Sequence, residues 1–148
     1  MTIHGNALLV AVSRLSITQT RAAGTAAKVA GVNPTSYAIL SELALDGGLT
    51  NGQIAERLGM STGGVTPALD RLERSEMIER NPNPADRRSS VVSITPRGQE
   101  VLRGAADVLA DQLENVIDGM DERARETVLR FLTEANDAYV TVQERLDG

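Results

Sequence analysis

The chain has 148 residues, a net charge of -5 and 41% hydrophobic but only 2% aromatic residues, which predicts a folded domain with an aliphatic core. It contains no cysteine and one histidine, His4, so thiolate chemistry is excluded and neither a metal nor another cofactor is expected. It lacks an apolar run of the roughly 20 residues that span a bilayer, and its first residues do not resemble a signal peptide. We therefore expect a cytoplasmic protein without a membrane partner.

The first third of the sequence predicts two helices. Residues 7–30 are rich in Ala, Leu and Val and contain no proline, which indicates one long helix. Asn33-Pro34 is typical of a helix cap followed by the first helical position. The second helix is predicted from about residue 34 to 45, ends at Gly47-Gly48, and places on one face Tyr37, Leu40 and Leu43/Ala44.

Two further capped helices follow at close spacing. Thr50 and Gln53 match a capping box, and the short helix that they begin directs Ile54, Ala55 and Leu58 inward before Gly59 ends it. Ser61 can cap the next helix, in which Val65, Leu69 and Leu72 recur at helical spacing. Two helices joined by a tight glycine turn predict a helix-turn-helix.

The pattern then becomes extended. Residues 78–80 and 91–94 indicate two short strands, and the prolines and asparagines of residues 81–84 indicate a hairpin loop between them. A hairpin directly after a helix-turn-helix is a wing. The predicted fold class is therefore mainly α with a small β-hairpin wing, a winged helix-turn-helix joined to a helical region.

The last third predicts two long helices. Thr95-Pro96 begins the first, Gly119 ends it, and Asp121 can cap the second. The apolar residues of the first recur at helical spacing: Val101, Leu102, Ala105, Val108, Leu109, Leu113, Val116 and Ile117. Those of the second alternate at steps of four and three, which is typical of a helix packed against another helix: Val128, Leu132, Ala135, Tyr139, Val142 and Leu146.

Charge is segregated along the chain. Residues 107–137 contain nine acids and three arginines, a local net charge of -6, whereas residues 83–103 contain four arginines and two acids, a local net charge of +2. The acidic total, which argues against a nucleic-acid partner, therefore conceals a small basic region around the predicted wing.

The helix after Ser61 carries candidate DNA contacts opposite its apolar face. That face contains Gly63, Thr66, Pro67, Asp70, Arg71 and Arg74. Small residues let the backbone approach a partner, free amides favour phosphate, and the hydroxyls of Ser61, Thr62 and Thr66 can donate to phosphates or base edges. The alternative is an ordinary solvated face with an Asp70–Arg74 surface pair. The helix-turn-helix and wing context favours DNA contact.

Pro67 admits two interpretations. Inside a regular helix a proline costs about 3 kcal/mol, although less near the start, where few backbone bonds exist to lose. It is either a tolerated kink or part of a shaped contact surface that touches a thymine methyl group. The residues alone leave both open.

The predicted wing tip is Asp86-Arg87-Arg88. Arginines on a narrow hairpin can enter a minor groove and exploit its negative potential. Asp86 can orient Arg88 through a charge-assisted bond. The alternative is a solvated loop with an incidental ion pair.

Taken together, these residues resemble the MarR family of bacterial winged-helix transcription factors. The stretches that carry the resemblance are Gly64-Val65-Thr66, Asp70-Arg71-Leu72-Glu73, Ile78-Glu79-Arg80, Asp86-Arg87-Arg88 and Ile94-Thr95-Pro96-Arg97-Gly98. The resemblance implies a homodimer that binds a pseudo-palindromic double-stranded DNA operator and is expected to act as a repressor. It implies dimerisation helices in residues 1–32 and 97–148 and a DNA-binding domain in residues 33–96.

The resemblance also implies site residues. It assigns Ser61, Thr62, Gly64, Thr66 and Arg71 to the major groove, and Arg87 and Arg88 to the minor groove, with Asp86 as the wing aspartate. The chain departs from the family at Pro67, where many members have a basic or polar residue. The family further implies release by a small amphipathic or phenolic effector, for which the sequence offers Tyr37, Phe131 and Tyr139, each expected in the core.

Two other classes of function remain as comparisons. A winged helix that contacts proteins through its acidic C-terminal half is the alternative, and the arginine pair at the wing tip argues against it. An enzyme is not expected, because the sequence has no phosphate-binding glycine loop, no nucleophile elbow and no histidine placed as a base.

Overall fold

A computed structural model describes residues 6–86 and 88–147, so His4 and Arg87 lie outside the described residues. The chain divides into two compact units, Met1–Asp107 and Val108–Gly148. Within the helices, the side chains that are not described are Ala105, Ala106, Val108, Leu109, Gln112, Gln143, Glu144 and Asp147.

The first four helices lie in the first unit, and their starts are fixed by side-chain caps. They are α1 (Ala7–Val29), α2 (Pro34–Asp46), α3 (Asn51–Arg57) and α4 (Thr62–Arg74). Asn6 and Asn33 accept hydrogen bonds from the backbone amides of Leu8 and Ser36, at 3.0 and 2.7 Å. The predicted helices and the Asn33-Pro34 helix start are confirmed, with α2 extending one residue further than expected.

The capping box at the start of α3 is also confirmed. The Thr50 hydroxyl accepts from the Gln53 amide at 3.3 Å, and the Gln53 side chain accepts from the Thr50 amide at 2.9 Å. At the other end of α3, Arg57 forms ion pairs with Glu42 and Asp46 of α2. These contacts raise the pKa of Arg57 above its ordinary value: the hydrogen bond to Asp46 has the largest effect, followed by the hydrogen bond to Glu42. Arg57 therefore ties α3 to α2 as a permanent cation.

A three-stranded antiparallel sheet completes the winged helix. Its strands are β1 (Leu49–Thr50), β2 (Ile78–Pro82) and β3 (Ser90–Ile94), in the order β1-β3-β2. The sequence predicted the hairpin but missed β1. It was also wrong to place residues 81–84 in the loop, because Asn81 pairs with Val91 and Pro82 with Ser90. Pro82 is tolerated in β2 because this strand lies at the edge of the sheet.

The core of the first unit lies where α2, α3 and α4 pack on one another and against the sheet, α2 and α3 on β3 and α4 on β2. Among its fully buried members, α2 contributes Ile39, Leu40 and Leu43; the others include Ile54, Val65, Leu69 and Val92. Tyr37 and Leu58 are partly buried against it. Ala44, which the sequence placed with Tyr37 and Leu40 on one face, is exposed, and the buried Ile39 was not among the predicted residues. This core lies directly behind α4.

The turn from α4 into β2 packs against the start of α5 (Pro96–Asp118) and is hydrogen-bonded to Thr95, the residue before it. Glu76 adopts a left-handed backbone conformation with φ of 57°. Thr95 donates its backbone amide to the Met77 carbonyl at 3.0 Å and its hydroxyl to the Glu76 carbonyl at 2.6 Å. Gly98 is buried against the Met77 carbonyl, where a Cβ atom would overlap the oxygen. The absence of a side chain at Gly98 is therefore required for this close approach.

The second unit contains the end of α5 and α6 (Glu122–Asp147). Asp121 caps α6 by accepting from the Ala124 amide at 2.7 Å, as predicted. Arg125 donates to the carbonyls of Ile117 and Met120, both at 3.2 Å, and so ties α6 to the end of α5. In this single chain many apolar side chains of the unit are exposed, among them Leu113, Val116, Ile117, Val128, Leu129, Phe131, Leu132, Tyr139, Val142 and Leu146.

Candidate nucleic-acid interface

The first turn of α4 is held by Ser61. Its side chain accepts from the Gly64 amide at 3.1 Å, which satisfies one of the free amides of the helix start. Val65, Ala68, Leu69 and Leu72 are buried and fix the opposite face of α4 in the core. The helix is therefore anchored along its length, and its outer face is held in a defined orientation.

The outer face of α4 brings together the residues predicted for DNA contact. Ser61, Thr62, Gly63, Gly64, Pro67, Arg71 and Arg74 are exposed, and Thr66 is half-buried. The Thr66 hydroxyl donates to the Thr62 carbonyl at 2.7 Å, so its proton is committed within the helix. What Thr66 presents outward is a methyl group and an oxygen that accepts hydrogen bonds.

Pro67 lies in the sixth position of α4, which continues on both sides of it. Because proline has no amide hydrogen, it cannot donate to the carbonyl of Gly63, four residues earlier. Pro67 is exposed, so its ring forms part of the outer surface beside Gly63 and Gly64. The geometry is compatible with both interpretations of this proline.

The ion pair considered between Asp70 and Arg74 is not the one that forms. The Asp70 carboxylate accepts from Arg80 of β2 at 2.8 Å, and Arg74 donates instead to the backbone carbonyl of Asp70 at 3.1 Å. Arg71 and Arg74 remain exposed at the C-terminal half of the outer face.

The wing loop, residues 83–89, is closed by local hydrogen bonds. Asn83 accepts at its carbonyl from the Asp86 amide at 3.3 Å, and its own amide donates to the Ser89 carbonyl at 3.2 Å. The Asp86 carboxylate accepts from the backbone amide of Arg88 at 3.0 Å. Asp86 therefore bonds Arg88 as expected, and it does so at the Arg88 backbone amide, so that it shapes the loop backbone. The Arg88 side chain is exposed.

An open polar cleft separates the wing loop from the start of α3. Its volume is about 760 Å³, and its lining includes Asn51, Gln53, Asn83, Arg88 and Ser89. Sequence reasoning missed this cleft because its two sides are formed by residues 30 or more positions apart. Its amide, hydroxyl and guanidinium groups can bind anions and other polar groups, and the Asp86 carboxylate in the same lining opposes an anion.

Comparisons with known proteins decide the family. Residues 32–90 match the family model described as MarR family. The Bacillus subtilis (strain 168) HTH-type transcriptional regulator YkoM is 30% identical over 105 residues, which cover 71% of this chain and 68% of YkoM. The chain belongs to the MarR family. The expectation of a transcriptional regulator rather than an enzyme is confirmed by these relatives.

Other members are similar in sequence or in fold. The HTH-type transcriptional repressor MdtR of B. subtilis (strain 168) is 37% identical over 87 residues, 56% of each chain. A MarR-family regulator from Silicibacter pomeroyi superposes with a TM-score of 0.73 and 20% identity over 90% of both chains. A mutant of S. aureus MepR bound to an oligodeoxyribonucleotide superposes with a TM-score of 0.58 and 19% identity, over 88% of this chain and 96% of the MepR chain. The two structures support the MarR fold.

The aromatic residues considered for an effector lie in different environments in this MarR chain. Tyr37 is partly buried against the core of the first unit. Phe131 and Tyr139, expected in the core, are 41% and 57% exposed in the single chain. The described residues include neither a group of three or more His, Cys, Asp or Glu side chains that could hold a metal nor a helix apolar enough to cross a membrane.

Proposed function

We propose that this MarR-family chain is a homodimeric repressor that binds a pseudo-palindromic DNA operator and is released by a small amphipathic or phenolic effector. The observation that carries the proposal is the outer face of α4, where exposed glycines, hydroxyls and arginines lie over a fully buried apolar face. A DNA partner is supported by the MepR mutant, a structural neighbour that is bound to an oligodeoxyribonucleotide. Repression is supported by the relative MdtR, which is a transcriptional repressor.

The start of α4 is suited to the major groove of a duplex. This groove, about 12 Å wide, admits a helix, and small residues allow the helix backbone to lie close to base edges. Gly63 and Gly64 are both exposed there. The Thr66 proton is bound to the Thr62 carbonyl at 2.7 Å, so Thr66 would offer a methyl group to thymine or accept from an exocyclic amino group.

The arginines supply the attraction to phosphate. Arg71 and Arg74 extend from the C-terminal half of α4, and Arg88 extends from the wing loop. We propose that Arg88, with Arg87, enters the minor groove, and that Asp86 contributes by fixing the loop backbone through the 3.0 Å bond to the Arg88 amide. The polar cleft beside Arg88 would then lie against the sugar-phosphate backbone.

Dimerisation is supported by unpartnered apolar surface. The second unit exposes Leu129 and Leu132 to 68% and 50%, and α1 exposes Leu15 and Ile17 to 58% and 61%. Exposed apolar residues in such numbers are typical of an interface. We propose that residues 1–32 and 97–148 form the dimer, while residues 33–96 bind DNA. Two copies of α4 would then enter successive major grooves roughly 34 Å apart.

The proposed release by an effector is tested by comparing operator binding with and without candidate compounds. The purified dimer, bound to its operator, is titrated with a set of small phenols and amphipathic carboxylates while fluorescence anisotropy reports DNA release. We expect at least one class of compound to release the DNA. Because coupled binding is reciprocal, the operator should weaken the binding of that compound by the same factor. A protein that keeps its operator under every compound would contradict this part alone.

The DNA-binding part is tested by selecting duplexes from a fragmented genome with the purified protein and measuring affinity against salt. The Arg88→Gln variant should weaken binding to any selected duplex and reduce the slope of log K against log salt by about 0.9 for each phosphate that is no longer neutralised. Arg130→Gln, which removes the same charge from exposed α6, is the matched control and should leave the slope unchanged. A wild-type protein that retains no duplex at low salt would favour the protein-contact alternative.

A further inference from the structure

Arg80 occupies a special position between the wing and α4. It lies on β2, two residues after buried Ile78, and the alternation of a strand therefore directs its side chain towards the core side of the sheet. There its guanidinium meets two acids of α4: one nitrogen lies 2.8 Å from Asp70 and another 3.3 Å from Glu73. The two acids are three residues apart and share one face of the helix.

The side chain of Arg80 is enclosed rather than extended into solvent. Only 26% of it is exposed, compared with 47% for Asp70 and 43% for Glu73. Its Nε atom is buried and has no hydrogen-bond partner among the described residues. The outer nitrogens of the guanidinium fork are therefore directed at α4, and the arm that carries them is packed between helix and strand.

Lysine could not reproduce this arrangement. A guanidinium presents several donors in a rigid plane and can hold two carboxylates at once, whereas an ammonium is a single point of charge on a flexible stem. The two ion pairs connect α4, which carries the residues proposed for the major groove, with β2, which leads into the wing loop. Arg80 is thus placed to set the angle between the two.

We propose that Arg80 is a positioning residue for DNA binding: by holding Asp70 and Glu73, it keeps α4 and the wing at the one angle at which both engage the same duplex. The inference rests on the proposed DNA-binding function. Arg80 acts through the two acids and makes no phosphate contact of its own. Its replacement should therefore uncouple the wing from α4 rather than remove a charge contact.

The decisive experiment is a double-mutant cycle between Arg80→Gln and Arg88→Gln, measured as operator affinity by fluorescence anisotropy. Arg80→Gln should weaken binding about fivefold, the combined value of two partly exposed ion pairs, with an unchanged salt slope. Because the wing is then no longer held in place, adding Arg88→Gln should cost at least threefold less than it does in the wild type. If Arg80→Gln only lowered the amount of folded protein, Arg88→Gln would weaken binding by the same factor with and without it, and no coupling would appear.

Two further variants complete the test. Arg80→Lys keeps the charge and the fold and should show the same coupling with Arg88→Gln at reduced size. The triple variant Asp70→Asn, Glu73→Gln, Arg80→Gln separates positioning from simple neutralisation of the acids: positioning predicts that affinity stays low. Additive effects in the cycle, wild-type affinity in Arg80→Lys, or full recovery in the triple variant would each overturn the proposal. Failure of the wild type to bind any duplex would instead overturn the proposed function.

Discussion

Replacing Gly98 by alanine should destabilise the protein, although alanine is the better helix former. Gly98 lies in the first turn of α5 and is buried. A Cβ atom there would overlap the Met77 carbonyl oxygen and lie 2.8 Å from Cγ1 of Ile94. Carbon atoms prefer a separation of about 3.5 Å, so the start of α5 or the turn after α4 must move by several tenths of an ångström.

The size of the effect follows from three contributions. Forcing an extra methyl group into a packed site costs about 1–3 kcal/mol. The displacement also stretches the two bonds from Thr95 to Met77 and Glu76, which are 3.0 and 2.6 Å long and contribute about 1 kcal/mol each. Helix propensity returns about 1 kcal/mol. We therefore expect the free energy of unfolding to fall by about 2–4 kcal/mol.

The measurement is urea denaturation followed by circular dichroism at a fixed protein concentration. The matched control is Gly104→Ala in the same helix, where a Cβ atom would meet no described atom within 4 Å. That substitution should raise the free energy of unfolding by about 0.5–1 kcal/mol. If Gly98→Ala is as stable as the control, the close packing of α5 on the α4–β2 turn is not what requires glycine.

Three further predictions concern the caps, the core and the dimer. Thr50→Ala removes the capping box of α3 and should cost about 1 kcal/mol in urea denaturation, whereas Thr127→Ala on exposed α6 should cost little; equal effects would contradict the role of the cap. Leu69→Ala empties a fully buried position on the core face of α4 and should cost about 2–5 kcal/mol; a cost below 1 kcal/mol would mean that the core is not packed as described. Leu132→Glu should convert the proposed dimer to monomer in sedimentation velocity, while Thr141→Glu, on the opposite side of α6, should not; a monomeric wild type would refute the dimer proposal.

Local signals allowed most of the fold to be predicted. Caps such as Asn33, Thr50, Ser61 and Asp121 act over three residues, so their function can be inferred from the sequence alone. The strand β1 could not be found in this way, because two residues carry no alternation and its pairing with β3 joins positions about 40 residues apart. Likewise, the sequence does not state that β2 is an edge strand, which is why Pro82 was placed in the loop.

The candidate site was predictable to the same extent. The outer face of α4 follows from helical periodicity, and its exposure in the structure agrees with it. The bond from Asp86 to Arg88 was also predicted, and the structure shows that the Arg88 backbone amide is the donor, as is common for aspartates in turns. The Arg80 contacts needed tertiary structure, since they join a strand to a helix ten residues earlier. Only the inward direction of Arg80, two residues after Ile78, was available from alternation.

The acidic net charge of the chain is compatible with a DNA partner for a physical reason. At physiological ionic strength, charges on the protein surface are screened beyond about 8 Å, so the charges beside the contact face matter more than the total. Two acids of α4, Asp70 and Glu73, lie beside the arginines that are proposed to contact DNA, and both acids are paired with Arg80. Because Arg80 offsets the negative charge of these two acids, the positive charge of the exposed Arg71 and Arg74 is not cancelled by them. Pairing of acids within the fold, rather than an excess of basic residues, is what can make this surface attractive to phosphate.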